Sequence, residues 1–174
     1  MSRPENFLTG VERTFNENDI IVSKTDPRGI ITYANKLFLD LADYSLQEVM
    51  GKPHNMVRNT NMPRCVFKLL WDRIASGNEI FAYVVNRAKN GDHYWVFAHV
   101  TPSFDDKHTI VGYHSSRRSP RRDAVRFVEP LYKQLLAKEN AHASPKEGLA
   151  AGEQMLFDLL KQKGTDYDRF VLSL

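Results

Sequence analysis

Apolar and polar residues alternate along several short stretches of the chain, and this pattern predicts β-strands. Five stretches have it: residues 20–23, 30–33, 81–88, 93–102 and 109–116. Asp26-Pro27-Arg28-Gly29 predicts a tight turn between the first two, and Asn90-Gly91 predicts a hairpin between the third and fourth. Short connections of this kind favour antiparallel pairing.

Helical spacing of apolar residues appears between the second and third predicted strands. Residues 64–76 have an apolar stripe that ends at Gly77, which predicts a helix. Two shorter helices are predicted, one that Asn35 caps and one over residues 45–50, with a loop at 53–62. Five strands with helices inserted after the second predict an α+β fold, an antiparallel sheet with short helices on one face.

The two ends of the chain have different patterns. Phe7, Val11 and Phe15 recur at fourfold spacing, so a short amphipathic helix is expected within an N-terminal cap, residues 1–19. Residues 20–118 form the predicted main domain, and residues 119–174 a helical extension. The extension is expected to contain two helices, the first kinked or restarted at Pro130. Its apolar ending, residues 170–174, predicts either an added strand or a segment docked on the core.

The two predicted helices of the extension have apolar faces on otherwise charged segments. These faces predict a surface for a dimer or for a partner protein. The alternative is that they cover the sheet of the same chain.

Composition is that of a globular protein, with 42% hydrophobic and 26% charged residues in 174. No apolar run approaches the roughly 20 residues that span a bilayer, and no signal peptide is evident. The net charge of +3 is concentrated at Arg117, Arg118, Arg121 and Arg122. Without a nucleic-acid-binding motif, this cluster is interpreted as a solvated linker and helix start. A single cysteine, Cys65, excludes an internal disulfide and suits the cytoplasm.

Two runs of residues are the most specific feature of the chain. Residues 51–58 read GKPHNMVR, followed by Trp71, and residues 86–96 read NRAKNGDHYWV. Over residues 18–118 the chain resembles the PAS sensor domain of the bacterial aerotaxis receptor family. The resemblance implies a PAS fold, non-covalently bound FAD, and transfer of a redox signal to the chemotaxis machinery.

The same resemblance implies the residues of a flavin site. Trp71 would contact the flavin ring, and Arg58 would donate a fork of hydrogen bonds to a pyrophosphate or a flavin carbonyl. Asn86 would face the helices and offer an amide to the flavin edge. The remaining expected cofactor-binding residues are His54, Asn55, Asn59, Asn61 and Asn35. From the residues alone, Trp71 also fits the core, Arg58 a surface ion pair, His54 and Asn55 loop capping, and Asn35 a helix cap.

Other cofactors and activities fit the sequence less well. FMN is less expected than FAD, and haem is not expected because the helix at 64–76 has no histidine. Cys65 lacks the sequence context of light-sensing flavoproteins and is predicted to be a small packed residue. No catalytic set or zinc spacing stands out, so an enzyme is not expected. The alternative function is a cofactor-free or haem-binding PAS module for protein interaction.

The expected partner follows from the resemblance to freestanding energy-taxis sensors. It is a membrane-bound, chemoreceptor-like signalling protein, with a homodimer left open and no nucleic acid. The protein is therefore expected in the cytoplasm, associated with the membrane only through that partner.

Overall fold

A computed structural model describes residues 7–174 of the chain. Its strands are β1 (Ile21–Thr25), β2 (Ile31–Ala34), β3 (Ile80–Arg87), β4 (His93–Phe104) and β5 (Ile110–Arg118). Its helices are α1 (Lys36–Ala42), α2 (Leu46–Val49), α3 (Arg64–Ala75), α4 (Arg122–Asn140), α5 (Pro145–Gln162) and α6 (Tyr167–Leu172), with a 3-10 helix at His54–Val57. The predicted α+β fold is confirmed, with each predicted strand within a few residues of its observed bounds.

The five strands form one antiparallel sheet in the order β2-β1-β5-β4-β3. The last strand, β5, is central and pairs with both β1 and β4, with Thr25 opposite Tyr113 and Arg118 opposite Phe97. Gly91 adopts a φ of 95° in the turn between β3 and β4, a conformation that glycine tolerates well. Because side chains alternate along a strand, every second residue of β5 points to the same face of the sheet.

The helices between β2 and β3 pack on one face of this sheet. Asn35 caps α1 as predicted, since its side chain accepts the backbone N–H of Phe38 at 3.1 Å. Ser45 and Glu48 form a reciprocal capping box at α2. The apolar stripe of α3 is buried at Cys65, Val66, Leu70 and Ile74, and of these Leu70 and Ile74 pack in one cluster with residues of the sheet. These contacts fix α3 across the sheet and leave a gap between the helix and the sheet.

The helix expected at the N-terminal cap is wrong for the residues that the structure describes. Residues 7–19 are not helical, and the first six residues of the predicted cap lie outside the described residues. The amide of Thr9 donates to the carbonyl of Gly91 at 2.9 Å, and the amide of His93 donates to the carbonyl of Val11 at 2.9 Å. The backbone groups at the start of β4 therefore hold this segment in an extended conformation, although the spacing of its apolar residues is typical of a helix.

The C-terminal extension contains the two predicted helices, α4 and α5. Pro130 lies inside α4, and the helix does not restart there. The ending is neither loose nor a strand: it forms α6, with Phe170 and Val171 buried in the main core. Of the two alternatives for residues 170–174, the docked segment is confirmed.

The apolar face of α4 is covered within the same chain, mainly by α5 and α3 and at one point by the edge of the sheet. Its buried residues include Val125, Val128, Tyr132 and Leu135. The hydroxyl of Tyr132 donates to the backbone carbonyl of Tyr83, on the edge strand β3, at 2.7 Å. An uncovered strand edge invites pairing with other chains, so this helix protects β3. These buried residues of α4 therefore pack within their own chain, as the alternative expects, and the surface for a dimer or partner protein stays a prediction.

Candidate functional site

A cavity of about 450 Å³ lies between α3 and the helix-facing side of the sheet. Its wall consists of α3, the 3-10 helix, the β1–β2 turn and inward-facing side chains of four strands, β1, β3, β4 and β5. Cavities of this size hold small organic ligands in other proteins. The cavity is therefore the candidate site.

A buried arginine, Arg117, forms one end of the cavity. Its guanidinium donates to Ser23 Oγ at 2.6 Å and to His54 Nε2 at 2.8 Å, and it lies 5.6 Å from the ring centroid of Phe38. Arginine has only donors, so His54 Nε2 is the acceptor and the ring carries its proton on Nδ1. Arg117 is only 4% exposed, which is unusual for an arginine.

Burial determines the charge of both groups. It lowers the pKa of His54 to about 3, with a smaller effect from the Arg117 charge, and so keeps the imidazole neutral. His54 retains partial surface exposure because it lines the cavity, while protein atoms crowd its ring. Burial also lowers the pKa of Arg117 to about 10, which leaves it charged at neutral pH. The site therefore has a fixed positive charge on Arg117 beside the neutral imidazole of His54.

A second arginine, Arg58, lies beside the end of the edge strand β3. Its backbone pairs with Asn86 in an isolated antiparallel bridge, and its guanidinium lies 4.8 Å from the ring centroid of Phe67. The amide of Asn59 donates to the backbone carbonyl of Asn86 at 3.4 Å. Asn86 is 5% exposed and lines the cavity together with Val84, as strand alternation predicts.

Trp71 connects α3 to the β1–β2 turn on the exposed side of the cavity. A Cβ atom at Gly29 would lie 2.9 Å from Trp71 Cη2, so the ring rests directly on this glycine. Gly29 has a φ of 79°, which other residues adopt at a cost. The Trp71 ring also meets Tyr113 edge-on, with centroids 5.6 Å apart. Trp71 is 39% exposed, so it forms part of the cavity wall. The alternative prediction, that Trp71 is a core residue, is wrong.

The cavity has a strongly positive wall. The described lining residues include five arginines or lysines and no aspartate or glutamate: Arg28, Arg58, Arg64, Lys68 and Arg117. Three of these form ion pairs outside the cavity, with Asp26, Glu139 and Asp72. Among residues 7–174, Arg58 and Arg117 form no such pair within 4 Å. Two uncompensated guanidiniums favour an anionic or electron-rich ligand.

The structure brings five of the eight predicted site residues together at the cavity and leaves three outside its wall. Those at the cavity are Arg58, Trp71, Asn86, His54 and Asn55. Asn35 uses its side chain to cap α1 and to bond the backbone of Ile20 and Val22, so the helix-cap alternative describes it. Asn59 is buried, and its Oδ1 accepts the backbone N–H of Asn61 at 2.9 Å. Asn59 and Asn61 thus support the Arg58 loop from behind.

Sequence reasoning missed Arg117 and Ser23. The sequence prediction places Arg117 in a solvated basic cluster, and for this residue that prediction is wrong, because Arg117 is 4% exposed. Arg121 and Arg122 do fit it, since they form surface ion pairs with Asp123 and Glu12. The alternation along β5 was the available signal, because Tyr113, Ser115 and Arg117 share the cavity face.

Cys65 lies behind α3, away from the cavity wall. It is fully buried in the core, as predicted for a packed thiol, and burial together with Glu139 raises its pKa to about 12. In the described part of the chain, no cluster of three or more metal-ligating side chains is present. No helix among the described residues is long and apolar enough to cross a membrane.

Comparisons with known proteins place these features in context. A family model described as the PAS fold matches residues 11–115. The aerotaxis receptor of Escherichia coli K12 is 39% identical over 131 residues, which are 75% of this chain and 26% of the receptor. The nitrogen fixation regulatory protein of Klebsiella pneumoniae is 26% identical over 115 residues, 66% of this chain and 22% of that protein. The chain thus spans about a quarter of the length of these curated relatives.

A solved structure has the same fold. The dark structure of the blue-light photoreceptor Aureochrome1 LOV superposes with a TM-score of 0.56 at 24% identity. The match covers 66% of this chain and 85% of that one.

Proposed function

The chain belongs to the PAS family, and from this premise we propose that it is a redox sensor that binds FAD non-covalently in the cavity beneath α3. Its signal passes to a separate, membrane-bound, chemoreceptor-like protein. The likeness to the aerotaxis receptor supports the sensory class. FAD rather than FMN is our proposal, and the cofactor-release experiment described below tests it. Relatives that are a receptor and a regulatory protein support a sensory role without catalysis. The proposal places the protein in the cytoplasm.

The observation that carries the proposal is the chemistry of the cavity wall. A flavin has a flat ring with a mixed hydrogen-bonding edge, and FAD adds a pyrophosphate. Asn86 offers an amide to the edge, and Trp71 offers an aromatic face. Arg58 and Arg117 offer positive charge that no carboxylate in residues 7–174 neutralises within 4 Å. These residues fit an electron-rich, anionic cofactor.

When bound, FAD supplies reversible electron transfer, and the chain's residues respond to the change in charge. Arg117 holds a fixed positive charge beside neutral His54, so any electron density gained nearby alters the balance of its hydrogen bonds. Arg117 is on β5, which ends at Arg118 shortly before α4 begins at Arg122. A shift at Arg117 thus has a short covalent path to the extension, where it biases the helices between two packings.

His54 supports flavin over haem. It is the single histidine among the described cavity-lining residues, and its Nε2 is already engaged by Arg117 and by Ser23 Oγ at 3.1 Å. An iron ligand needs an unprotonated ring nitrogen facing the metal, and the other nitrogen, Nδ1, carries the proton of the neutral ring.

The direct test is purification of the full chain from flavin-supplied cells. We expect a yellow protein that releases FAD on heating, identified by chromatography. Release of FMN would change the cofactor, and release of no flavin would refute the proposal.

Two variants test the site. Arg58→Ala and Trp71→Ala should each weaken FAD binding, the first by roughly tenfold or more, because a charge-assisted hydrogen bond is lost. Arg126→Ala, an exposed arginine on α4, is the matched control and should bind as the parent does. Circular dichroism must remain native in all three. If both site variants bind FAD with the affinity of the parent, Arg58 and Trp71 are not FAD-binding residues.

The partner is tested separately. The FAD-loaded chain, oxidised and then reduced, is applied to membranes containing a chemoreceptor from the same organism. Binding that depends on the redox state supports the proposed output, and equal or absent binding contradicts it.

A further inference from the structure

The first turn of α3 is capped by a residue from the far end of α4. Pro63 at the N-cap provides no side-chain hydrogen bond. Instead, the Glu139 carboxylate accepts the backbone N–H groups of Arg64 and Cys65 at 3.1 Å and 2.8 Å. The Arg64 side chain donates its Nε–H to the same carboxylate at 3.0 Å. A helix start must satisfy its free N–H groups, and here the C-terminal extension does so.

The joint around Glu139 is buried and closely packed. Glu139 is 1% exposed, and an unpaired carboxylate at such a depth would be costly, which explains why it has several donors. Two glycines of α5 leave room for it: a Cβ at Gly148 would overlap the Glu139 carbonyl oxygen, and one at Gly152 would lie 2.8 Å from Glu139 Cγ. The α4–α5 hairpin thus closes directly onto the start of α3.

The same helix start forms part of the cavity wall. Arg64 lines the cavity while its NH1 donates to the carbonyl of Pro145, at the start of α5, at 3.2 Å. Lys68, one turn further along α3 and also a lining residue, pairs with Glu153 of α5 at 2.9 Å. Burial lowers the pKa of Arg58, and the Glu139 charge partly opposes this effect. Glu139 therefore acts on both the position and the charge of the wall.

We propose that Glu139 is a positioning residue for the cavity, one that couples ligand occupancy to the docking of the α4–α5 hairpin on α3. The inference rests on the proposed function, because it takes FAD as the ligand. Coupling between two sites is reciprocal, so FAD must stabilise the hairpin to the extent that hairpin docking favours FAD.

The experiment compares the full chain with Glu139→Gln, Gly152→Ala and Glu129→Gln. Glu139→Gln keeps the shape and removes the charge, while Gly152→Ala keeps the charge and displaces the carboxylate. Glu129→Gln is the matched control, since Glu129 is exposed on the same helix and pairs with Lys133. FAD affinity, the flavin midpoint potential and amide hydrogen exchange over residues 145–162 are measured for each chain, the last with and without FAD.

In the parent, saturating FAD should slow hydrogen exchange in α5. Glu139→Gln should bind FAD about tenfold more weakly, the typical scale of a lost charge-assisted contact. It should also lose the FAD-dependent protection and shift the midpoint potential to more positive values. The sign follows because removal of a negative charge near Arg58 favours added electrons. Gly152→Ala should lose the protection, and Glu129→Gln should match the parent throughout.

The outcomes separate the inference from the proposed function. A parent that binds FAD with no change of exchange in α5 overturns the inference alone, without recourse to any variant. Parental FAD affinity and potential in Glu139→Gln do the same. A parent that binds no FAD overturns the proposed function and this inference together.

Discussion

Leu135→Ala tests whether the C-terminal extension belongs to the folding core. Leu135 lies on α4 and is 0% exposed, within the same apolar cluster as the sheet residues. The substitution removes three carbon groups from this cluster. If the extension folds together with the sheet, the whole chain loses stability. If it is a separable output arm, the sheet unfolds as before.

The expected size follows from the burial of the side chain. Three buried methylene equivalents correspond to about 2.4 kcal/mol of transfer free energy, at about 0.8 kcal/mol each. The cavity left behind adds to this, which gives a total of about 3–4 kcal/mol, within the usual range for buried leucines. For a chain of this length the melting temperature should fall by roughly 6–16 °C.

The assay is urea unfolding of the ligand-free chain, followed by both tryptophan fluorescence and circular dichroism. Leu172→Ala is the matched control, because Leu172 is 55% exposed on α6 and its truncation should cost less than about 1 kcal/mol. The two probes should give one coincident transition for the parent and both variants.

Two results would refute this reasoning. One is a loss in Leu135→Ala no larger than that in Leu172→Ala. The other is a two-step transition in which only the first step moves. Either would support the predicted boundary at residue 118, which stays a prediction until then. A chain truncated at that boundary should aggregate if Leu135 behaves as expected.

Three further predictions concern single groups. Tyr132→Phe removes the donor to the Tyr83 carbonyl and should lower the free energy of unfolding by about 1–2 kcal/mol in the same urea assay; an unchanged midpoint would contradict that bond. Because burial and then Arg117 hold the pKa of His54 at about 3 when folded, against 6.5 ordinarily, its stabilising effect is full above pH 6.5 and declines as the pH falls towards 3. The free energy of unfolding from urea curves should therefore fall less steeply with decreasing pH in His54→Gln than in the parent. An equal fall in both chains would contradict the prediction. Cys65, buried and with its pKa raised to about 12, should react with a thiol reagent at pH 8 far more slowly in the native than in the urea-unfolded chain, and equal rates would disprove its burial.

Local signals were enough for most of the elements of the main domain. The Asn90-Gly91 turn and the alternating residues beside it predicted the β3–β4 hairpin, because backbone preference and side-chain periodicity act within a few residues. The Asn35 cap and the Gly77 stop set helix ends for the same reason. The signal for α6 was also local, since Asp166 caps it by accepting the amide of Arg169 at 2.8 Å, and its apolar ending had hidden that cap.

The residues of the candidate site also fall into two groups, those that the sequence predicted and those that it did not. Motif residues such as Arg58 and Trp71 were found because they occur in a short, specific run. Arg117 and Ser23 were not, since they are distant in the chain and meet through the pairing of β1 with β5. Alternation along β5 indicates which face of the sheet Arg117 is on, but the burial of its charge depends on Ser23 and His54, which only the tertiary structure brings to it.

What the sequence by itself determined is the identity of the fold and the elements between residues 20 and 162. Tertiary structure decided how the ends of the chain are used. Residues 7–19 are extended because open backbone groups of β4 accept them, and Glu139 is buried because the start of α3 needs a cap. Both outcomes depend on partners roughly 75 to 80 positions away, and the free energy of satisfying a buried backbone group there outweighs a weak local preference.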